Sequence, residues 1–349
     1  MLTYNLYLLL NFLIGYFSKL DRTKFILFSG FFISSIFIGL REGIGADWNN
    51  YLKLYLNSNF FTFGENVSST DALYGLITFI GHSLSLDIYF VNLVCAIIFC
   101  YGIFFSFTKV IKRYELYLIA ITPYLLVVAG PNFSRQSMAI GFFLIATKLL
   151  LKDKNKTALF FSCAALLSHS SAVFSVLICI YIYIKKNKIS PRIFVSLTSI
   201  VFLLLIILAP RIIDKFFFYT EEVSRNSNGV YFRLLLYSIP YSLFLIKYKS
   251  LKSTPYFYFM KASFILYILC FLLTQIDSII GDRVSVYIIP AQGVIFASLA
   301  MNIKLHFDKI IIYLSAIIFS VLQLNIWLYF SVWAEKAWLP YDNLLFGFF

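Results

Sequence analysis

A few polar residues break a sequence otherwise dominated by apolar runs. They are Arg41, Glu42 and Asp47 in GLREGIGADWNNY, Arg135 and Gln136 in NFSRQSMAIG, His169 in LLSHSSAV, Asp282 and Arg283 in DRVSVY, Tyr341 in WLPYDN, and the pair Tyr231 and Arg233. Arginine presents a planar fork of donors that matches phosphate or carboxylate, so these arginines point to an anionic ligand. His169, Asp47 and Glu42 are side chains that can take a proton from a hydroxyl. Each signal has a structural alternative. Arg41 and Glu42 suit a helix-ending loop, an arginine opening a membrane helix can snorkel to the interface, and a lone histidine can sit satisfied in a core. Arg233 and Asp282 suit a salt bridge, and the tail aromatics suit the interfacial belt.

Other chemistries lack their apparatus. There is no P-loop, GxSxG, HExxH or DxD pattern, which leaves ATP hydrolysis, serine hydrolysis and zinc catalysis without support. The cysteines Cys95, Cys100, Cys163, Cys179 and Cys270 lie in apolar runs without CxxC spacing and read as small membrane hydrophobes. No metal or cofactor is expected.

The elements that must position these residues are membrane helices. Of 349 residues, 61% are hydrophobic and only 13% charged, against ~25% charged in a soluble domain. The net charge of +13 sits in short clusters between apolar runs, a topology signal and not a nucleic-acid one. A crossing needs roughly 17 to 25 mostly apolar residues. The runs of about that length are 2–17, 24–40, 88–108, 116–130, 135–151, 193–209, 231–246, 257–274, 283–301 and 310–333. The expected fold is therefore an all-α polytopic membrane domain of about ten transmembrane helices covering residues 1–349. The first run has no basic residues before it and is expected to stay as a helix.

Basic clusters at Lys19/Arg22/Lys24, Lys109/Lys112/Arg113, Lys152/Lys154/Lys156, Lys185/Lys186/Lys188/Arg192, Lys247/Lys249/Lys252 and Lys304/Lys309 belong in the cytoplasm. An even number of crossings must separate neighbouring clusters. Residues 41–86 then form an extracytoplasmic loop with an amphipathic helix at 72–84, residues 157–184 form a hairpin turning at Ser168–Ser171, and residues 210–230 form a second extracytoplasmic loop. Both termini fall outside. A re-entrant hairpin requires its turn to face protein or a watery cavity. With this topology six of nine arginines, Arg41, Arg135, Arg211, Arg225, Arg233 and Arg283, lie outside against the usual trend. The spans carry almost no charge at mid-depth, which argues against an ion-coupled carrier.

In order and spacing, GLREGIGADWNNY, NFSRQSMAIG, LLSHSSAV, DRVSVY and WLPYDN resemble the EpsG/Wzy-type family of bacterial polysaccharide polymerases, over nearly the whole chain. By that resemblance Arg41 and Asp47 correspond to the family's arginine and aspartate, Arg135-Gln136 to its RQ pair, His169 to its hairpin histidine, and Pro340-Tyr341 to its terminal PY. Two departures stand out. Ala46 and Trp48 flank the aspartate in place of a small hydroxylated residue and a tyrosine, and Thr70-Asp71-Ala72-Leu73-Tyr74 replaces a glutamate-containing helix start.

The resemblance implies a polymerase, a membrane glycosyltransferase. It would move a growing glycan from undecaprenyl pyrophosphate onto the non-reducing end of a second lipid-linked repeat, without a metal, at the periplasmic face of a bacterial inner membrane. Its partners would be the lipid-linked donor and acceptor, the bilayer and a chain-length regulator. Arg135, Arg233, Arg283 and Arg41 are then expected to bind pyrophosphate. Gln136, Tyr231, Asp282 and Tyr341 would contact substrate, and His169, Asp47 or Glu42 would be the base, with His169 preferred. An O-antigen-type ligase, a flippase for the same lipid-linked sugars and a membrane acyltransferase are the alternatives.

Overall fold

The computed structural model describes residues 1–19, 24–108, 111–189, 229–303 and 305–345. The expected span at 193–209, the loop at 210–230, Arg211 and Arg225 lie outside the described residues. The chain is an all-α polytopic membrane protein. Among the described residues six helices are long and apolar enough to cross a membrane: Ile88–Phe105, Tyr114–Asn132, Gly229–Ile246, Phe257–Ile276, Ser278–Asn302 and His306–Phe330. Other runs give helices that are shorter or less apolar, among them α1 (Leu2–Ser18) and α2 (Phe25–Gly39).

After α2 come α3 (Trp48–Asn57), α4 (Phe63–Ser69) and α5 (Ala72–Ser83). A capping box opens α4: the Thr62 hydroxyl accepts from Glu65 N–H, and the Glu65 carboxylate accepts from Thr62 N–H at 2.7 Å. These bonds hold the Glu65 carboxyl below the usual carboxylate range. On α5, Tyr74, Thr78 and Gly81 are buried at helical spacing, so a single face packs inward.

The centre is built by α6 (Ile88–Phe105), α7 (Tyr114–Ile121) and α9 (Ser134–Leu151). α7 continues through a π-helical stretch at Thr122–Ala129 and one turn, α8 (Gly130–Asn132). The widening starts beside Pro123, whose ring nitrogen has no hydrogen to give to the ladder. The whole of Tyr114–Asn132 is buried, a protein-enclosed helix and not a lipid-facing one. α6 and α9 cross where Gly102 meets Gly141: a Cβ on Gly102 would stand 2.5 Å from Gly141 O, and one on Gly141 would stand 2.4 Å from Ile98 O. Contact this close between backbones is the small-residue packing of membrane helices.

Two helices follow, α10 (Asn155–Ser168) and α11 (Val173–Lys186), with the break at His169. Lys186 Nζ donates to the carbonyls of Leu150 and Leu151 at 2.9 and 2.8 Å and pairs with Asp153 at 2.7 Å. The far end of α11 thus lies beside the start of α10. The remaining helices are α12 (Gly229–Ile246), α13 (Tyr248–Leu251), α14 (Phe257–Ile276), α15 (Ser278–Ser285), α16 (Ile289–Asn302), α17 (His306–Phe330) and α18 (Val332–Ala337). α16 packs on α7, and α1 covers the same helix from another side.

The tail folds back on the loop after α2. Arg41 and Asn343 form an antiparallel bridge, Leu344 N–H donates to Leu40 O at 2.8 Å, and Gly45 N–H donates to Ala337 O at 2.8 Å. Gly45 adopts φ +107, and a Cβ there would stand 2.9 Å from Pro131 O. Glycine is therefore required for the loop to lie against α8.

Candidate functional site

The loop after α2 is held by Arg41, whose side chain is fully buried. Its guanidinium donates to Ile38 O at 2.7 Å, Ile44 O at 3.1 Å and Ser134 Oγ at 3.0 Å, with Asn92 Oδ1 at 3.5 Å. Burial lowers its pKa to about 10, still far above neutrality, so the cradle holds a charged group. Arg41 was expected to orient an anion, but its donors are committed to protein acceptors. It ties α2, α6 and the start of α9 together.

Directly after Ser134, Arg135 in the first turn of α9 pairs with Asp71 at 2.9 Å and lies over the rings of Tyr51 and Tyr74 at 5.6 and 5.9 Å. Asp71 occupies the N-cap of α5 without using its side chain as the cap, which leaves the carboxylate for Arg135. Burial raises the pKa of Tyr51, opposed by Arg135, so its hydroxyl stays protonated.

Arg283 and Asp282 are placed by a sharp turn between α14 and α15. The Asp277 carboxylate accepts from Ile279 N–H at 2.6 Å and Ile280 N–H at 3.1 Å, capping α15. Arg283 reaches Asp47 at 3.7 Å and stacks over Phe133 at 4.1 Å. Asp282 pairs with Arg233 and accepts from the Tyr124 hydroxyl at 3.1 Å, while Arg233 lies 4.5 Å over the Tyr124 ring.

Gln136 joins these pieces. Its amide donates to Arg283 O at 2.6 Å and to Ser171 Oγ at 3.1 Å, and its own residue is fully buried. Ser171 in turn contacts His169 Nδ1 at 2.8 Å and Tyr287 Oη at 3.0 Å. Ser171 N–H also donates to His169 Nδ1 at 3.0 Å. A nitrogen that accepts from a backbone N–H carries no proton, so the neutral imidazole bears its hydrogen on Nε2.

Arg135, Arg233, Arg283, Asp47, Asp282, Gln136 and His169 therefore converge at one end of the helices. Besides Arg41, three predicted residues make other contacts. The Tyr341 hydroxyl donates to Phe37 O at 2.8 Å and its ring stacks on Phe37 at 4.3 Å, wedged against α2. The Tyr231 hydroxyl donates to Thr274 O at 3.1 Å. Glu42 is exposed and points to Tyr89. Residues at the convergence that sequence reasoning did not single out are Asp71, Tyr51, Ser171 and Tyr287. Asp71 stands where the resemblance led one to expect a glutamate, and that acidic position was the available signal.

Three guanidiniums and three carboxylates, paired one to one, carry the charge of this region. The three part-buried guanidiniums sit over aromatic faces, where charge interactions are stronger than in water. Each is paired with a carboxylate, which fixes the direction of its fork. Among the described residues no three His, Cys, Asp or Glu side chains are grouped to hold a metal.

No curated protein and no solved structure matches the chain. The EpsG family model matches residues 24–343, from the start of α2 to the tail residue that bridges to Arg41. The chain belongs to the EpsG family.

Proposed function

We propose that this protein is a polysaccharide polymerase that joins lipid-linked glycans at the periplasmic face of a bacterial inner membrane. Family membership suggests a polymerase-like membrane protein. The observation that supports the finer reading is the placement of Arg135, Arg233 and Arg283, each paired with a carboxylate, at the end of the helices where Gln136 links Arg283 to the His169 turn.

The donor is a glycan on undecaprenyl pyrophosphate. The acceptor hydroxyl oxygen attacks the anomeric carbon as the bond from that carbon to the pyrophosphate oxygen breaks. The electron pair leaves with the lipid pyrophosphate, and the arginines neutralise the charge that develops there. The hydroxyl proton passes to a base. His169 Nδ1 is already occupied by Ser171, so we assign the base to Asp47, with the protonated Nε2 of His169 donating to the substrate. Arg41 acts by holding the loop that carries Asp47.

The test is the chain length of surface polysaccharide in a null strain complemented with wild type or Arg135→Ala. Single repeats in the null, a ladder with wild type and no ladder with a normally inserted Arg135→Ala protein are expected. Long glycan not attached to its final acceptor would instead indicate a ligase. Lipid-linked repeats retained on the cytoplasmic leaflet would indicate a flippase.

A further inference from the structure

We propose that a cleft beside α3 is a saccharide subsite that holds uncharged sugar rings of the lipid-linked glycan, next to the space where the arginines take its pyrophosphate. This rests on the polymerase reading. The cleft has a volume of about 520 Å³ and its lining includes Glu42, Trp48, Leu52, Tyr55, Asp87 and Tyr89. The Trp48 and Tyr89 rings lie 5.9 Å apart at 44°, forming a bent aromatic wall. Aromatic faces pack against the C–H faces of sugar rings, and a few fixed polar groups then set orientation.

Those polar groups are carboxylates. Glu42 and Asp87 are both exposed at the cleft, and an ionised carboxylate only accepts hydrogen bonds, which suits sugar hydroxyls. Two negative charges repel a phosphate or a uronate and have no attraction for a lipid tail. The cleft thus has two carboxylates and no cation in its lining, whereas each carboxylate of the arginine cluster is paired with a guanidinium. They share α3: Tyr51 lies under Arg135 while Leu52 and Leu56 line the cleft. Asp47, on Arg283, directly precedes Trp48, in the cleft wall. A glycan with its pyrophosphate among the arginines can lay its sugars along Tyr89, which the buried Trp48 ring backs. Trp48 stands where the resemblance led one to expect tyrosine, and its larger ring backs Tyr89 from within.

The experiment is calorimetric titration of the full-length protein in nanodiscs with oligosaccharides released by mild acid from the host's own polymer. Wild type is expected to bind them, Tyr89→Ala and Asp87→Asn to bind about five-fold more weakly or less, and Tyr89→Phe to stay close to wild type. Arg135→Ala is expected to bind the fragments as wild type does, because they carry no pyrophosphate. Asp87→Asn is an exposed substitution, so it decides the matter if Tyr89→Ala does not fold. Absence of binding to wild type, undiminished binding to Asp87→Asn, or loss of binding in Arg135→Ala would overturn the proposal. Normal chain lengths in the null strain alongside fragment binding at this cleft would reject the polymerase reading and leave the cleft standing.

Discussion

A 2.9 Å ion pair joins Arg135, in the first turn of α9, to Asp71, at the N-cap of α5. It ties the central helix bundle to the segment that carries Tyr51 and Tyr74, both of which lie beneath the same guanidinium. The pair fixes the direction of the guanidinium while about a quarter of the Arg135 side chain stays exposed.

Replacing Arg135 tests both charge and shape. Arg135→Ala is expected to stop chain growth, and Arg135→Lys to leave it at least ~100-fold slower, because a point charge cannot reproduce a two-pronged contact. Asp71→Asn keeps the cation but loses its aim, with an expected fall of about ten-fold. Elongation rates with purified lipid-linked repeats measure all three. A Lys variant as fast as wild type would show that charge alone suffices.

Arg41 is expected to behave as a structural residue. Arg41→Lys leaves acceptors at Ile38, Ile44 and Ser134 unmatched in a buried cradle, a cost of roughly 2–4 kcal/mol. Thermal unfolding in detergent should show a lower midpoint. An unchanged midpoint with lost polymer synthesis would move Arg41 into direct contact with substrate.

The His169 turn predicts a tautomer. Nitrogen-15 spectra of the labelled protein near neutral pH should show His169 protonated on Nε2, with Ser171→Ala weakening the interaction at Nδ1. We expect that variant to slow elongation about ten-fold. A hydrogen on Nδ1 would contradict the geometry and restore His169 Nε2 as a base.

The α6–α9 crossing separates folding from chemistry. Gly141→Val places side-chain atoms where even a Cβ meets Ile98 O at 2.4 Å, and overpacking of this kind costs about 1–3 kcal/mol or more. Gly43→Ala, at φ +65 with nothing within 4 Å, is expected to cost only ~1 kcal/mol. The amount of folded protein recovered from membranes should drop for the first and stay near wild type for the second. Equal recovery would mean the helices can separate at this point.

The apolar runs and the order of short polar motifs were enough to give the fold class and the family, because spanning length and hydropathy are local properties of a chain in lipid. They also singled out Arg135, Gln136, Arg233, Asp282, Arg283, Asp47 and His169, which the fold brings to one end of the helices. Partnership was not legible. Arg41 and Arg135 read alike as arginines at the ends of apolar runs, yet one is spent on backbone carbonyls and the other faces an aspartate 64 residues away. Glu42 and Asp47 belong to one motif, but the loop turns them toward different spaces, one to Tyr89 and one to Arg283. Tyr341 read as a ligand for substrate, whereas the tail wedges it into α2. Hydrogen-bond partners are set by which helices meet and at what rotation, and that depends on close contacts such as Gly102 with Gly141, which no single stretch of sequence encodes.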